Sequence, residues 1–284
     1  MTSKHAAKPN LQPTLKSITQ AASELDRESL LELQAIVEQL LADRTANLET
    51  NLFQEESQKA NYAQEQAFEP FLGLLKQGSH VWNQWREQNP EIRIDLKGVN
   101  LSGANLQLAN LSGVNLERAN LSGADLRGAF LRETNFKEAV LFMADLVLVN
   151  LQSACLQSAN LQGADLYKAN FHKANLKAAN LMQANIRRAK FVEATLEEAN
   201  LMEADFLEAN LMQANLSQAN LHRAKLQRTN LIEANLQGAN LFAATLSGAN
   251  VCRAKLDRAN IHNTNFYGAT LKGATMPDGT IYNS

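Results

Sequence analysis

Residues 101–126 read LSGANLQLANLSGVNLERANLSGADL, with leucine at every fifth position and Ala-Asn or a close variant before it. A step of five suits no regular element. On an α-helix at about 3.6 residues per turn it carries the leucines around the whole cylinder. On a flat strand an odd step sends successive leucines to opposite faces. The chain must therefore bend once per quintet, so that every leucine points to one common axis. Short extended segments joined by tight turns do this, and they close into stacked coils.

The phase holds far beyond this stretch. From Leu96 to Met276 about 37 consecutive steps of five land on an apolar residue, passing through Phe136, Phe171, Ile186, Phe191, Phe206, Val251, Ile261, Phe266 and Leu271. Two residues before each stands Ala in most quintets, with Ile94, Val99, Val114, Thr134, Val149, Thr229 and Thr264 as exceptions. The residue just before is usually Asn, sometimes Asp, and the two that follow are mostly polar or Gly. Ten of the 13 glycines, from Gly98 to Gly273, share the slot two after the leucine, which points to a recurring turn with positive φ. A single quintet could not stand alone. Ordering five residues costs roughly 5–10 kcal/mol of backbone entropy, and one buried leucine returns about 2–3. Stacking with ladder hydrogen bonds must supply the rest. A narrow bore also accounts for the alanines, since larger residues would overfill it.

The uninterrupted A(N/D)LXX tandem resembles the pentapeptide repeat family over about residues 94–276. That resemblance implies a mainly β fold, a right-handed quadrilateral β-helix with four quintets per coil. It implies about nine coils and a rod of roughly 44 Å. Leu96, Leu101, Leu121, Leu161, Leu201 and Leu241 are then central inward residues. The family is abundant in cyanobacteria, and most of its members have no assigned biochemical role.

Composition changes ahead of the rod. The expected organisation is a disordered tail at 1–12, an α-helical region at 13–92, the β-helix at 93–276 and a C-terminal tail at 277–284. Leu30, Leu33, Val37 and Leu40 follow helical spacing, with Leu31 and Leu41 beside them, for only about two heptads. A second helix is expected through Leu48, Leu52 and Phe53, and a third opening at Pro70. In HVWNQWREQNPEIRIDL, residues 80–96, Val81 and Trp85 share a helical face, and Asn89-Pro90 stops the helix. A helix over about 81–88 is predicted to cap the first coil, with Trp82 or Trp85 on its first leucines, because an open coil exposes core and unpaired edge. The end, MPDGTIYNS, keeps Met276 and Ile281 in phase while Pro277 and Gly279 break the turn pattern.

Catalytic readings find little support. His222 and His262 share a column two coils apart, about 10 Å, too far for one metal. Cys155 and Cys252 lie nearly five coils apart and match no CxxC spacing. No catalytic residue, cofactor or metal site is assigned, and the expectation is a protein that is not an enzyme. From Asp95 to Met276 there are 18 Lys+Arg against 15 Asp+Glu. That near balance fits neither a nucleic-acid binder nor an acidic mimic of one. Arg187, Arg188 and Lys190, followed by Glu193, Glu197, Glu198, Glu203, Asp205 and Glu208, read as a self-compensating surface. No apolar run spans a bilayer and MTSKHAAKPN has no apolar export segment, so a soluble, cytoplasmic protein is expected.

The lead lies in apolar residues in outward slots: Leu108, Phe142, Met143, Val147, Leu148, Met182, Met202, Leu207 and Phe242. Most fall on two adjacent faces, and such a patch marks an interface or the seat of the N-terminal helices. The expected function is a rigid scaffold for protein partners, with self-association as an alternative use of the patch and no nucleic-acid or membrane partner. A second reading, a DNA-shaped modulator of a type II topoisomerase, follows from the resemblance alone. It would need an acidic rod.

Overall fold

The computed structural model describes residues 68–283, together with positions 35, 39, 42–46 and 50 of the preceding stretch. The chain divides into two compact units, Met1–Gln66 and Ala67–Ser284. In the first, the described positions are helical. Gln39 Nε2 donates to Asp43 Oδ1 at 3.0 Å and Thr50 Oγ1 to the Ala46 carbonyl at 2.8 Å. The expectations for residues 1–12 and for Leu30, Leu31, Leu33, Val37, Leu40, Leu41, Leu48, Leu52 and Phe53 lie outside the described residues.

In the second unit, every quintet closes one β-turn. The Leu101 carbonyl accepts from the Ala104 N–H at 3.1 Å, and the same bond recurs along the coil. Only the third turn residue has positive φ, the signature of a type II turn. Ten of those positions are glycine, from Gly98 to Gly273, and 26 are not, with φ of 54 to 60°. L-residues bear that conformation at a cost unless their Cβ is branched, when it becomes a true outlier. No Val, Ile or Thr stands in this slot between Gly98 and Gly273, whereas the slot before it holds Val147, Val192 and Ile232.

Four turns complete one coil, because each bridge joins residues twenty apart in parallel, from Asp95↔Asn115 to Lys255↔Thr275. The ladder is regular. The Leu101 N–H donates forward to the Asn120 carbonyl at 2.7 Å, and the Asn120 N–H donates back to the Val99 carbonyl at 2.9 Å. The leucine and alanine slots fill the bore. Leu96, Leu121, Leu161, Leu201 and Leu241 are fully buried and Leu101 is 7% exposed. Thr134, Thr229 and Thr264, the polar exceptions in the alanine slot, each donate a hydroxyl to a leucine-slot carbonyl 23 residues back, of Leu111, Phe206 and Leu241.

The asparagines do two jobs. Oδ1 accepts the N–H two residues on, as from Ser102 to Asn100 at 3.1 Å, closing an Asx turn. Nδ2 donates to the asparagine one coil back. Asn180, Asn200, Asn220, Asn240 and Asn260 run such a chain down to Asn160.

A helix, Ser79–Gln88, lies at the start of the coil, preceded by helical residues 68–76. Trp82 is fully buried and its Nε1–H donates to the Asn110 carbonyl at 2.8 Å. Asn83 bonds the Leu108 carbonyl and the Asn110 N–H, at 2.9 and 2.7 Å. Arg86 Nη2 donates to the Ser112 carbonyl at 2.7 Å, and burial lowers the guanidinium's pKa from its usual value. Trp85 packs edge-on against Phe71. At the far end Met276-Pro277-Asp278-Gly279 forms a turn in which Asp278 lacks the positive φ of its slot. The chain then reverses, so that Ile281 pairs antiparallel with Thr275 and Tyr282 exchanges bonds with Gly273 and Ala274. Among the described residues no helix is long and apolar enough to cross a membrane.

A candidate interaction surface

A register of twenty turns the sequence into columns whose successive residues lie about 4.8 Å apart. Phe142 and Met143 sit on one face of a single coil, and Val147 and Leu148 on the next face of the same coil. Phe142, Met143 and Leu148 are 43, 59 and 60% exposed, and Val147 is half-buried. Leu108 shares the Leu148 column two coils away and leans over Gly128, where an added Cβ would meet it at 2.9 Å. Met143 lies over Gly163 in the same manner. Met182, Met202 and Phe242 follow Phe142 along its column, after Gln162, and are half-buried. His222 fills the gap between Met202 and Phe242 and stacks on Phe242 at 5.5 Å. Leu207 stands apart, three coils from Val147 in the latter's column.

Two features add to this patch, the first at positions where the sequence already departs from the repeat beside the Phe142 cluster, at Phe130, Val140 and Val149. Phe130 occupies an asparagine slot, is 50% exposed, and stands one coil back from Asn150, in the column beside Leu148. It extends the exposed band around a corner. It also ends an amide chain, since Asn170 donates to Asn150 but Asn150 has only a phenyl ring behind it. Val140 interrupts the Asn160 chain in the same coil as the patch. A second apolar column, Val192, Met212, Ile232 and Cys252, runs half-buried on the opposite side. Stepping by twenty from Cys252 would have found it in the sequence.

Elsewhere on the surface, several charged residues pair along their columns. Lys97 meets Glu117 and Lys177 meets Glu197, both at 2.9 Å, and Arg118 meets Glu138 at 2.7 Å. The Arg118 bond holds the Glu138 carboxyl below its usual range, and Lys97 does the same for Glu117. Arg188, from the basic cluster, pairs with Glu208 at 2.8 Å, lowers that carboxyl, and also lowers the Tyr167 hydroxyl through a hydrogen bond. Exposed pairs of this kind contribute little to stability, because water screens them. His172 Nδ1 lies 3.0 Å from the Val192 carbonyl, and Cys155 and Cys252 are free. Among the described residues no group of three His, Cys, Asp or Glu is placed to hold a metal.

The pentapeptide repeat family model matches in eight copies, over residues 94–132, 115–146, 144–181, 179–218, 219–256 and 234–273. The chain belongs to the pentapeptide repeat family. Pentapeptide repeat proteins are known to form right-handed quadrilateral β-helices, and the four turns per coil seen here agree. Among solved structures the chain is similar to HetL, a pentapeptide repeat protein involved in heterocyst differentiation regulation in the cyanobacterium Nostoc sp. strain PCC 7120. Identity is 36% over 66% of this chain and 87% of that one, with a TM-score of 0.40. Rfr23 from the cyanobacterium Cyanothece 51142 is 34% identical over 32% of this chain and 58% of its own, with a TM-score of 0.28. QnrB1, a plasmid-mediated fluoroquinolone resistance protein, is 20% identical over 65% and 88%, with a TM-score of 0.39. A search of curated proteins finds no match.

Proposed function

We propose that this pentapeptide repeat protein is a non-enzymatic scaffold that binds a protein partner through the band formed by Phe130, Phe142, Met143, Val147 and Leu148. The observation that carries this reading is a coincidence of position. Large apolar side chains reach solvent in the coil where Val140 breaks one asparagine chain, and Phe130, one coil back, breaks another. Giving up side-chain ladder bonds there while exposing rings has no benefit to the isolated rod. A partner that covers the band supplies one.

In this reading residues 93–276 are the binding rod and the helix within 79–88 is a cap. Trp82, Asn83 and Arg86 occupy edge groups of the first coil that no preceding coil can reach. The tail after Met276 has the corresponding role on part of the last coil. The topoisomerase alternative calls for an acidic rod, and 18 Lys+Arg against 15 Asp+Glu do not make one.

The test is affinity capture from the source organism with the full chain and with Phe142→Glu and Met143→Glu variants, beside Ser158→Glu on another face as control. Retention of every partner by both patch variants overturns the assignment. Loss confined to those two supports it.

A further inference from the structure

A different feature lies at the start of the coil. A groove of about 640 Å³ runs between helical residues 68–76 and the first coil, with Leu72, Leu75, Leu101, Leu106 and Leu108 on its walls and Lys76 the one charged residue among the described residues that line it. Its floor is also an open ladder edge. Along the rod, each asparagine-slot N–H donates back and its carbonyl accepts from the coil behind. For Asn100 and Asn105 there is no coil behind. Their N–H and C=O groups, with the carbonyls of Ser102 and Gln107, have no hydrogen-bond partner among the described residues. The helix Ser79–Gln88 meets the same need only further round the coil, at Asn110 and Ser112.

The size of the gap decides what can fill it. A whole coil from a second copy would have to stack about 4.8 Å above the first. The helix on that end is roughly 10 Å across with its side chains, so a flush stack is blocked. A single extended segment needs only one strand's spacing. The other end of this rod shows the solution, where residues 280–282 pair antiparallel with the last coil's edge. Alternating main-chain donors and acceptors demand a main chain, the leucine walls demand aliphatic side chains, and Lys76 favours a carboxylate.

We propose that this groove is a strand-addition site for a short extended segment of a partner protein, aliphatic on one face and acidic near Lys76. It stands apart from the lateral band and does not depend on it.

The experiment uses the full chain and the peptide acetyl-Glu-Val-Thr-Leu-Thr-Val-amide, with an analogue N-methylated on alternate amides. Calorimetry and hydrogen exchange are the readouts. The parent peptide should bind with a Kd of ~10 μM to 1 mM and slow exchange at Asn100 or Asn105, whichever of the two adjacent sides it pairs with. The N-methylated analogue should bind at least ~tenfold more weakly, because one edge loses its donors while the side chains remain. Lys76→Glu should weaken the parent several-fold with an unchanged circular dichroism spectrum, and Phe142→Glu should leave it unaffected. No binding at millimolar peptide, equal affinity for the N-methylated form, or unchanged exchange at residues 100–107 overturns the proposal. Protection of those amides without peptide, together with a dimer by light scattering, assigns the groove to a second copy instead and overturns it too.

Discussion

Ala178 offers a clean measure of the turn that builds this coil. It is exposed, its φ is 55°, and its methyl group makes no polar contact, so substitutions there report the backbone alone. Ala178→Val places a branched Cβ against the adjacent carbonyl in the left-handed region, at a cost of about 1–2 kcal/mol relative to alanine. For a domain of this size that lowers the Tm by roughly 2–8 °C. Ala178→Leu adds more apolar bulk without branching and should stay within about 0.5 kcal/mol of wild type. Ala178→Gly releases about 1 kcal/mol of strain but adds a similar amount of unfolded-chain entropy, so it should be near neutral. Gln157→Val, in the preceding slot where Val147, Val192 and Ile232 already stand, should also be near neutral. The assay is thermal unfolding of the five proteins side by side. If Ala178→Val and Ala178→Leu melt together, steric exclusion at positive φ is not why branched residues are missing from that slot.

Other perturbations test the ladder, the N-terminal contact and the surface charges. Asn220→Ala removes bonds to Asn200, from Asn240 and from the His222 N–H, and should cost about 2 kcal/mol after allowance for water replacing part of them; a loss below about 0.5 in urea unfolding would show that the amide chain is ornamental. Trp82→Phe keeps a ring in the core but leaves the Asn110 carbonyl without its donor, so a loss of about 1–3 kcal/mol is expected, and hydrogen exchange should quicken first near residues 108–112. Glu138, held low by Arg118, binds fewer protons folded than unfolded, so its contribution is present above the ordinary carboxylate range and is lost as pH falls through the depressed value. A carboxyl titration by NMR should place Glu138 under the usual glutamate value, and Arg118→Gln should restore it; an unmoved titration in that variant refutes the pairing.

Much of this could be read from residues in order. An unslipping step of five forces one bend per quintet, and the glycine slot shows where positive φ falls. The lateral columns also follow once the register of twenty is known, and Phe130 stands out as a departure from the repeat, although the Val192–Cys252 column needs that register applied to every slot. The groove at Asn100 and Asn105 could not be found this way. Nothing in those residues distinguishes them from asparagines further along. They differ only in having no neighbour behind.

The linear pattern by itself determined the inward axis, the bend at each quintet and the near-neutral flanks, because those properties repeat within one local rule; the four-sided coil was implied by the family resemblance. The tertiary structure alone decided the individual contacts at the rod's two ends. It set which edge groups Trp82, Asn83 and Arg86 occupy and how the tail folds back at Thr275. It also set which groups stay open. Termination is the one place where a repeat cannot supply its own partner, so the outcome depends on segments brought together from outside the repeat.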